Sequence, residues 1–371
     1  MVDNHNADNP TGAAGIEEGV EEETATRVRP YDATKIRITT KSWSLRQVID
    51  DISDGTIDLF PDFQRSYVWK SYQQSRLVES ILLGIPLPSF YFNADETNTM
   101  QVVDGVQRLT TIQRYYRGEF ALSQLEYLTD LVGRSFPELD TAWRRRFQQT
   151  QILVHVIEPQ TPPELKFDIF RRLNTLGTPL TAQQIRHCLS RARSRDLLAR
   201  MASGPAFVRA TRGAYLFDPG MTARELALRF IALRDFDRDA YTGFETLDDF
   251  LIAVTRRLDD PKAASDRELD AVVEAFETAM SRAWDAFGTG AFRRSESSQI
   301  NRALFDSWAV ALAEVDDETF GRRRGEIARD AKRAMDTDAA YVRSFSEATG
   351  YAGRIEMRLE KAREIVRGSP Q

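Results

Sequence analysis

Cysteine, histidine and lysine are all scarce in this chain of 371 residues, and lysine occurs only seven times. The single cysteine, Cys188, cannot form an internal disulfide and excludes a zinc site built from several thiolates. The three histidines, His5, His155 and His187, are too few for a metal site that needs several histidine ligands. Uninterrupted apolar runs of roughly eighteen residues are missing, and the N-terminus is polar and acidic. We therefore expect a cytoplasmic protein without a membrane partner.

The composition that remains is that of an ordinary globular protein with an acidic leader. Hydrophobic residues make up 42% of the chain. Residues 1–30 contain seven acidic and two basic residues and show no periodicity, so they are expected to form a disordered tail. The rest holds 48 basic and 49 acidic residues, a balance that does not demand nucleic acid. Arg144, Arg145 and Arg146 form a local basic cluster that could contact DNA, with a solvated helix face as the alternative.

Alternating strand and helix patterns predict an α+β domain over residues 31–190. Expected strands are KIRITT, TIDLF, SFYFNA, MQVVDG and QILVHVIE, the third and fourth as a hairpin or as neighbours. Three capping-box patterns predict helix starts, and they are Ser44 with Gln47, Ser71 with Gln74, and Thr181 with Gln184. A further helix is expected to start at Thr161–Pro163 and to end near Leu173.

The second half of the chain, residues 191–371, is expected to be an all-helical domain. Strand patterns fade there, and no internal repeat of fixed period is present. Helical periodicity covers 192–203, 222–235, 246–259, 266–287, 299–314, 319–336 and 339–366.

One predicted strand leads directly into a helix at VVDGVQRLTTI, residues 102–112. Leu109, Ile112 and Tyr116 follow at helical spacing, so the helix should begin straight after the turn Asp104–Gly105. The first amides of a helix lack acceptors within it and, together with the helix dipole, attract phosphate. Asp104 could equally be a simple N-cap, and the string alone leaves both readings open.

Two further strings combine arginine with amide or aromatic side chains. PDFQRSYVWK places Gln64 and Arg65 among aromatic residues, a mixture suited to stacking a base and binding phosphate. FRRLNTLGTPLTAQQIR ends one helix with Arg172 and Asn174 before a glycine turn. Each string also has a structural reading, because aromatics commonly form core and helix ends favour arginine without a ligand.

The order of these strings resembles the N-terminal domain family of GmrSD-type restriction endonucleases, which is marked by a DGQQR motif. The strings are PDFQRSYVWK, LVESILLGIPLP, VVDGVQRLTTI and IFRRLNTLGTPLTAQQIR, and they cover roughly residues 35–190. The resemblance implies a small mixed-sheet fold of the ParB/sulfiredoxin kind, in which a glycine-containing turn ending in arginine binds nucleotide phosphates. It also implies an association with nucleoside-triphosphate-dependent restriction of modified phage DNA.

The resemblance assigns roles to individual residues. The family motif falls on Asp104, Gly105, Val106, Gln107 and Arg108, where Val106 replaces a glutamine. The implied catalytic residues are Asp104, Gln107 and Arg108. The implied nucleotide- or phosphate-binding residues are Gln64, Arg65, Gly105, Val106, Arg108, Arg172 and Asn174. Asp104 and Asn174 are the implied ligands of a magnesium ion.

These observations lead to one functional expectation and two alternatives. We expect a module that binds a nucleoside triphosphate with Mg²⁺, hydrolyses it, and serves a phage-defence or restriction system that acts on or senses DNA. The first alternative, which Val106 favours, is a non-catalytic DNA-sensing or scaffold protein with a vestigial or switch site. The second is a ParB-like DNA nuclease. No histidine follows His187, so this chain is not expected to cut DNA by the His-Asn-His route. Any cleavage would need a partner or an unfamiliar carboxylate site, and the expected partners are a nuclease or a modification-system protein. A homo-oligomer also stays open.

Overall fold

The chain divides into two compact units. The computed structural model describes residues 16–17, 33–59, 69–96, 99–173, 180–295 and 298–368. We call Arg29–Leu189 the mixed-sheet unit and Ser190–Gln371 the helical unit, to which the short strand β1 (Ile16–Glu17) also belongs. Of the helices in the described ranges, none is both long enough and apolar enough to cross a bilayer.

The described part of the mixed-sheet unit alternates strands with helices. Its strands are β2 (Ile38–Ser44), β3 (Ile57–Asp58), β4 (Phe90–Ala94), β5 (Met100–Asp104) and β6 (Gln151–Ile157). Its α-helices are α1 (Leu45–Ser53), α2 (Ser71–Leu83), α3 (Val106–Tyr116), α4 (Thr141–Gln149), α5 (Pro163–Leu173) and α6 (Ala182–Leu189).

The strands form one mixed sheet in the order β2-β6-β4-β5-β3. β2 with β6 and β4 with β5 are antiparallel, whereas β6 with β4 and β5 with β3 are parallel. The predicted hairpin of SFYFNA with MQVVDG is therefore confirmed. A bulge shifts the β4–β5 register, so that Phe92 pairs with Val102 but Tyr91 pairs with Asp104. Bulges redirect side chains at strand ends, and this one lies where β5 delivers Asp104 into the following turn.

The core of this unit joins the sheet to the helices that follow its strands. Phe92 and Val102 are buried with Leu109 and Ile112 of α3. The predicted Tyr116 is partly buried and packs against this core, and its neighbour Tyr115, which was not predicted, is 0% exposed. Tyr115 is buried because its ring packs on the rings of Phe136 and Phe147. Helical spacing does not reveal this tertiary contact.

Two of the three predicted caps are confirmed. The amide of Gln47 donates to Ser44 Oγ at 3.2 Å, and Thr181 and Gln184 exchange amide-to-side-chain bonds of 3.1 and 2.6 Å. The Ser71–Gln74 box was wrong, because the Gln74 side chain is buried and donates to the carbonyl of Trp69. The neighbouring Gln73 side chain accepts the amide of Lys70 at 2.9 Å instead.

The helical unit confirms the expectation of a helical second half. Its α-helices are α7 (Ala192–Ala202), α8 (Pro205–Ala210), α9 (Thr222–Arg234), α10 (Arg238–Tyr241), α11 (Leu247–Asp259), α12 (Asp266–Phe287), α13 (Arg302–Glu314), α14 (Asp317–Thr337), α15 (Ala339–Ser346) and α16 (Ala352–Arg367). The unit also contains one short parallel pairing, between β1 and β7 (Ile300–Asn301). The short helices α8 and α10 were not predicted.

The helix predicted over 339–366 was wrong as a single element, because it breaks between α15 and α16. Ala348 adopts a left-handed conformation with φ of +47°. The buried guanidinium of Arg358 donates to the carbonyls of Ser344 and Thr349, at 3.3 and 2.7 Å. The break is therefore stabilised by a side chain from the following helix, which satisfies carbonyls that the interrupted helix leaves open.

A buried ion network crosses the core of the helical unit. Asp306, 0% exposed, accepts hydrogen bonds from Arg229 at 2.6 and 2.9 Å and from Arg358 at 3.0 Å. Burial opposes the ionised form of Asp306, but the two arginines together outweigh it and lower its pKa. Such a network fixes the mutual register of α9, α13 and α16. Removing the Asp306 carboxylate would leave Arg229 with the more distant Glu225, at 3.8 Å, and would take the carboxylate partner from the buried Arg358.

Candidate functional site

The turn between β5 and α3 requires glycine. Gly105 has φ of +102°, and a Cβ placed there would lie 2.3 Å from Cδ1 of Phe90. Phe90 itself is fully buried in the core and cannot retreat without disturbing it. The turn therefore brings the backbone into close contact with β4, and only a residue without a side chain allows both the conformation and the approach.

Helix α3 begins on this glycine without a side-chain cap. Gly105 occupies the N-cap position, and no side chain of the described residues bonds to the first-turn amides from there. The first intrahelical bond runs from the amide of Leu109 to the carbonyl of Gly105 at 2.9 Å. The start of α3 thus presents the partial positive charge of a helix N-terminus, with a glycine that has no side chain at its N-cap position.

Arg108 is held by the chain itself. Its guanidinium donates to the carbonyl of Pro88, to that of Ser89 at 3.1 Å, and to Asp104 Oδ2 at 3.0 Å. It also lies over the ring of Phe90, 4.2 Å from the centroid. Burial lowers the pKa of Arg108, and the neighbouring Asp104 carboxylate opposes that effect. Arg108 therefore joins the start of β4 to the β5–α3 turn.

Asp104 keeps an accessible carboxylate beside this corner. Its side chain is 48% exposed, whereas that of Arg108 is 13% exposed. The structure thus brings Asp104, Gly105 and Arg108 together at one turn, with the acid facing solvent and the guanidinium turned inward. Metal-binding groups of three or more acidic, histidine or cysteine side chains are absent from the described residues. A divalent cation bound by Asp104 would therefore have to take further ligands from the oxygen atoms of a bound ligand.

Val106 and Gln107 complete the motif. Val106 is partly buried and packs against the hydrophobic core of the unit. Gln107 is half-buried, and its carbonyl accepts a 2.7 Å hydrogen bond from Thr111 Oγ1. The departure from the family motif at Val106 therefore has a packing explanation, since valine gains apolar contact that a glutamine would not make.

Four other residues were predicted for the site, and the structure describes one of them. Gln64, Arg65 and Asn174 lie outside the described residues. Arg172 is exposed in the last turn of α5.

The basic cluster on α4 is partly engaged within the unit. Arg146 donates to the carbonyl of Leu83 at 2.9 Å and so closes the end of α2. Arg145 is exposed, and Arg144 is half-buried. Contact of Arg144, Arg145 and Arg146 with DNA stays a prediction.

A buried polar chain on β4 and β5 was not predicted. Lys166, 6% exposed, donates from Nζ to Asn93 Oδ1 at 2.7 Å, and Asn93 donates to Gln101 Oε1 at 3.2 Å. Burial lowers the pKa of Lys166 to about 8. The sequence does carry a signal for the burial of Lys166. This residue lies four positions before Phe170, on the apolar face of an amphipathic helix.

Helix α6 contributes further buried polar side chains on the sheet. It packs against β5, the strand that ends at Asp104. Gln183 and Arg186 are 1% and 2% exposed, and Arg186 Nε donates to Gln183 Oε1 at 2.9 Å. His187 and Cys188, predicted to be inert packing residues, are buried as well. The interior beside β5 therefore contains several buried polar side chains, which are uncommon in a protein core.

Comparison with curated proteins and with solved structures finds no match to this chain. A family model does match, and its match begins at the first residue of α1 and ends just after α6. The matched range includes the Asp104–Arg108 turn and the buried polar side chains of α5 and α6. Over residues 45–190 the chain is similar to the family described as GmrSD restriction endonuclease, N-terminal domain, and this confirms the resemblance inferred from the four strings.

Proposed function

We propose that the mixed-sheet unit binds and hydrolyses a nucleoside triphosphate as a module of a restriction or phage-defence system acting on DNA. The family match supports the restriction setting. The observation that carries nucleotide binding is the uncapped start of α3 on a left-handed glycine. Backbone amides at such a turn bind phosphate without a side chain between them and the ligand.

In this proposal the phosphates approach over Gly105 and accept hydrogen bonds from the first-turn amides of α3. Arg108 acts as a positioning residue, because its hydrogen bonds to the carbonyls of Pro88 and Ser89 tie the turn to the segment before β4, and its charge partly balances Asp104. Gln64, Arg65, Arg172 and Asn174 are the proposed side-chain contacts to the ligand. A magnesium ion arriving with the nucleotide would supply charge neutralisation at the phosphates, with Asp104 and Asn174 as its protein ligands.

The chain's own contribution to hydrolysis would be orientation and electrostatics rather than covalent chemistry. The exposed carboxylate of Asp104 can accept a hydrogen bond from the attacking water. Gln107, one residue into α3, can orient that water or the terminal phosphate. The cytoplasm is the proposed location, and a partner nuclease or modification-system protein and self-association are proposed partners.

Phosphate release tests this proposal. The full chain with Mg²⁺ and each of the four ribonucleoside triphosphates, with and without plain or modified duplex DNA, should release phosphate. Asp104→Asn keeps the shape of the side chain but removes its charge, and should lower the rate by at least about a hundredfold, the lower limit typical of general acid–base groups. Asp130→Asn, at an exposed site of the same unit, should leave the rate unchanged. A wild-type protein that releases no phosphate under any condition would rule out hydrolysis.

A second candidate is a nucleotide-controlled switch without turnover. Val106 favours it, because its side chain packs against the core and lacks the side-chain amide that the family's glutamine would offer to the ligand. A switch would bind the triphosphate and change its affinity for DNA, yet release no phosphate. Replacing Val106 by Gln restores the family's residue, and turnover that appears only in that variant would support the switch.

A further inference from the structure

Positive charge collects on one surface of the helical unit, around the end of α8 and the loop after it. We define the basic loop surface by Arg209, Arg212, Leu216, Phe217 and Arg293. Arg209 and Arg212 are exposed and Arg293 is half-buried. Within the described residues, these three arginines form no ion pair. Their charge is therefore available to an external anion.

This lack of carboxylate partners contrasts with other surface arginines of the same unit. Arg200 pairs with Asp270 at 2.9 Å, and Arg363 pairs with Glu314 through two bonds of 2.7 and 2.8 Å. The nearby acid Asp218 is occupied, because its carboxylate accepts the amide of Ala223 at 2.7 Å near the start of α9. The basic loop surface is thus a local excess of positive charge in a chain whose formal net charge is −6.

Two of the three arginines of this surface, Arg293 and Arg209, are held by contacts within the unit. Arg293 donates to the carbonyls of Ala291 and Thr211, at 2.9 and 3.3 Å. Burial lowers the pKa of Arg293, and the adjacent charge of Arg212 lowers it further. Arg209 lies over the ring of Trp284, 4.9 Å from its centroid. Like charges kept side by side on a rigid frame are preorganised for an anion.

Arg212 also has an uncommon backbone conformation. Its φ is +60°, and Gly213 follows with φ of +68°. A non-glycine residue in the left-handed region is strained, and such strain is retained where the side chain has a task. Glycine or asparagine would fit this backbone with less strain, so the presence of arginine here favours a role for its guanidinium.

Two apolar side chains project from the same loop. Leu216 and Phe217 are 72% and 68% exposed. The preceding Tyr215 anchors the loop, since its ring stacks on Phe207 of the core at 6.0 Å. The loop therefore exposes Leu216 and Phe217 while Tyr215 anchors it to the core. It lies beside arginines that form no ion pair within the described residues.

We propose that the basic loop surface docks duplex DNA, with its arginines on backbone phosphates and Leu216 and Phe217 against sugars and base edges in a groove. Guanidinium groups bind phosphate oxygens in a bidentate manner, and apolar wedges beside arginines are typical of groove binding. Two loop residues are too small an apolar surface for a membrane anchor, which needs the face of an amphipathic helix. The inference rests on the proposed function to the extent that the protein acts on DNA.

Fluorescence anisotropy of the full chain with a labelled DNA duplex, without nucleotide and over a salt series, tests the proposal. Arg212→Asn removes the charge but suits the left-handed backbone, so the fold should survive. It should weaken binding about tenfold, as expected for one charge-assisted bond, and reduce the salt slope by about 1. Arg212→Lys should keep the salt slope. Phe217→Ser should weaken binding at every salt concentration without changing the slope. Arg200→Asn, at an exposed and paired arginine, should bind like wild type.

Several outcomes would overturn the inference. These are a wild-type protein that does not bind duplex DNA, or Arg212→Asn and Phe217→Ser variants that bind DNA as wild type does. Loss of binding to phosphatidylserine vesicles in Arg212→Asn, with DNA binding intact, would assign the surface to membranes instead. Nucleotide titration of the same samples separates the two proposals, because Arg212→Asn should bind nucleotide normally and Asp104→Asn should bind DNA normally.

Discussion

Replacing Gly105 by alanine is the perturbation whose effect the structure defines best. The new Cβ would lie 2.3 and 2.8 Å from two ring carbons of Phe90. The ring cannot move aside, because it is fully buried on the core side and faces the Arg108 guanidinium at 4.2 Å. Either the turn must open or the strand β4 must shift, and both changes would displace the start of α3.

The expected cost has two parts. An L-residue in the left-handed region costs about 1–2 kcal/mol, and forcing an extra methyl group into a packed core costs about 1–3 kcal/mol. Gly55→Ala is the matched control, since Gly55 has φ of +84° with no atom within 4 Å of the added Cβ. We therefore expect about 2–5 kcal/mol of destabilisation for Gly105→Ala and about 1–2 kcal/mol for Gly55→Ala.

Urea unfolding, followed by hydrogen exchange of peptides from the mixed-sheet unit, measures the free energy of unfolding of that unit in both variants. Adding Phe90→Leu to Gly105→Ala should recover part of the loss, because contacting residues couple by about 0.5–3 kcal/mol in double-mutant cycles. If Gly105→Ala is no more destabilising than Gly55→Ala, the close approach of the turn to β4 is refuted, and with it the reason for glycine at this position.

Three further predictions concern buried polar groups. Because the folded pKa of Lys166 is about 8 and its ordinary value is 10.5, the unfolded state binds more protons between these values. Stability should therefore rise with pH from about 8 to 10.5, and Lys166→Met should flatten that rise in urea titrations. Asp306→Ala should destabilise the helical unit by about 3–5 kcal/mol, since it removes the carboxylate that pairs with the buried Arg358 and leaves Arg229 with the more distant Glu225, at 3.8 Å; a loss below about 1 kcal/mol in thermal unfolding would contradict this. Glu79 accepts three backbone amides of residues 126–128, so Glu79→Ala should accelerate their hydrogen exchange, and unchanged rates would disprove its role.

The parts of the fold that depend on local chemistry could be predicted from the sequence. The start of α3 after Gly105 follows from a change of periodicity at a glycine, and the Ser44 and Thr181 caps follow from side chains that bond three residues ahead. The hairpin of β4 with β5 follows from two strand patterns joined by a polar turn. Each of these features is decided within a few residues.

The parts that depend on distant partners could not be predicted. Lys166 is buried because Asn93, 73 residues earlier, accepts its ammonium group. The break before α16 is held by Arg358, which reaches back to the preceding helix. For the site, the sequence indicated which residues share the turn, but not that Arg108 is directed to the carbonyls of Pro88 and Ser89. Those acceptors lie about twenty residues away along the chain, beyond the reach of pattern reasoning.

Titration calorimetry of the wild-type chain with nucleoside triphosphates and with the corresponding nucleosides, each with Mg²⁺, measures whether the start of α3 binds phosphate. At least one triphosphate should bind, its nucleoside should not, and Gly105→Ala should abolish binding at temperatures where the variant remains folded. Equal binding of nucleoside and triphosphate, or no binding of any triphosphate by the wild-type chain, would contradict a phosphate site at the start of α3.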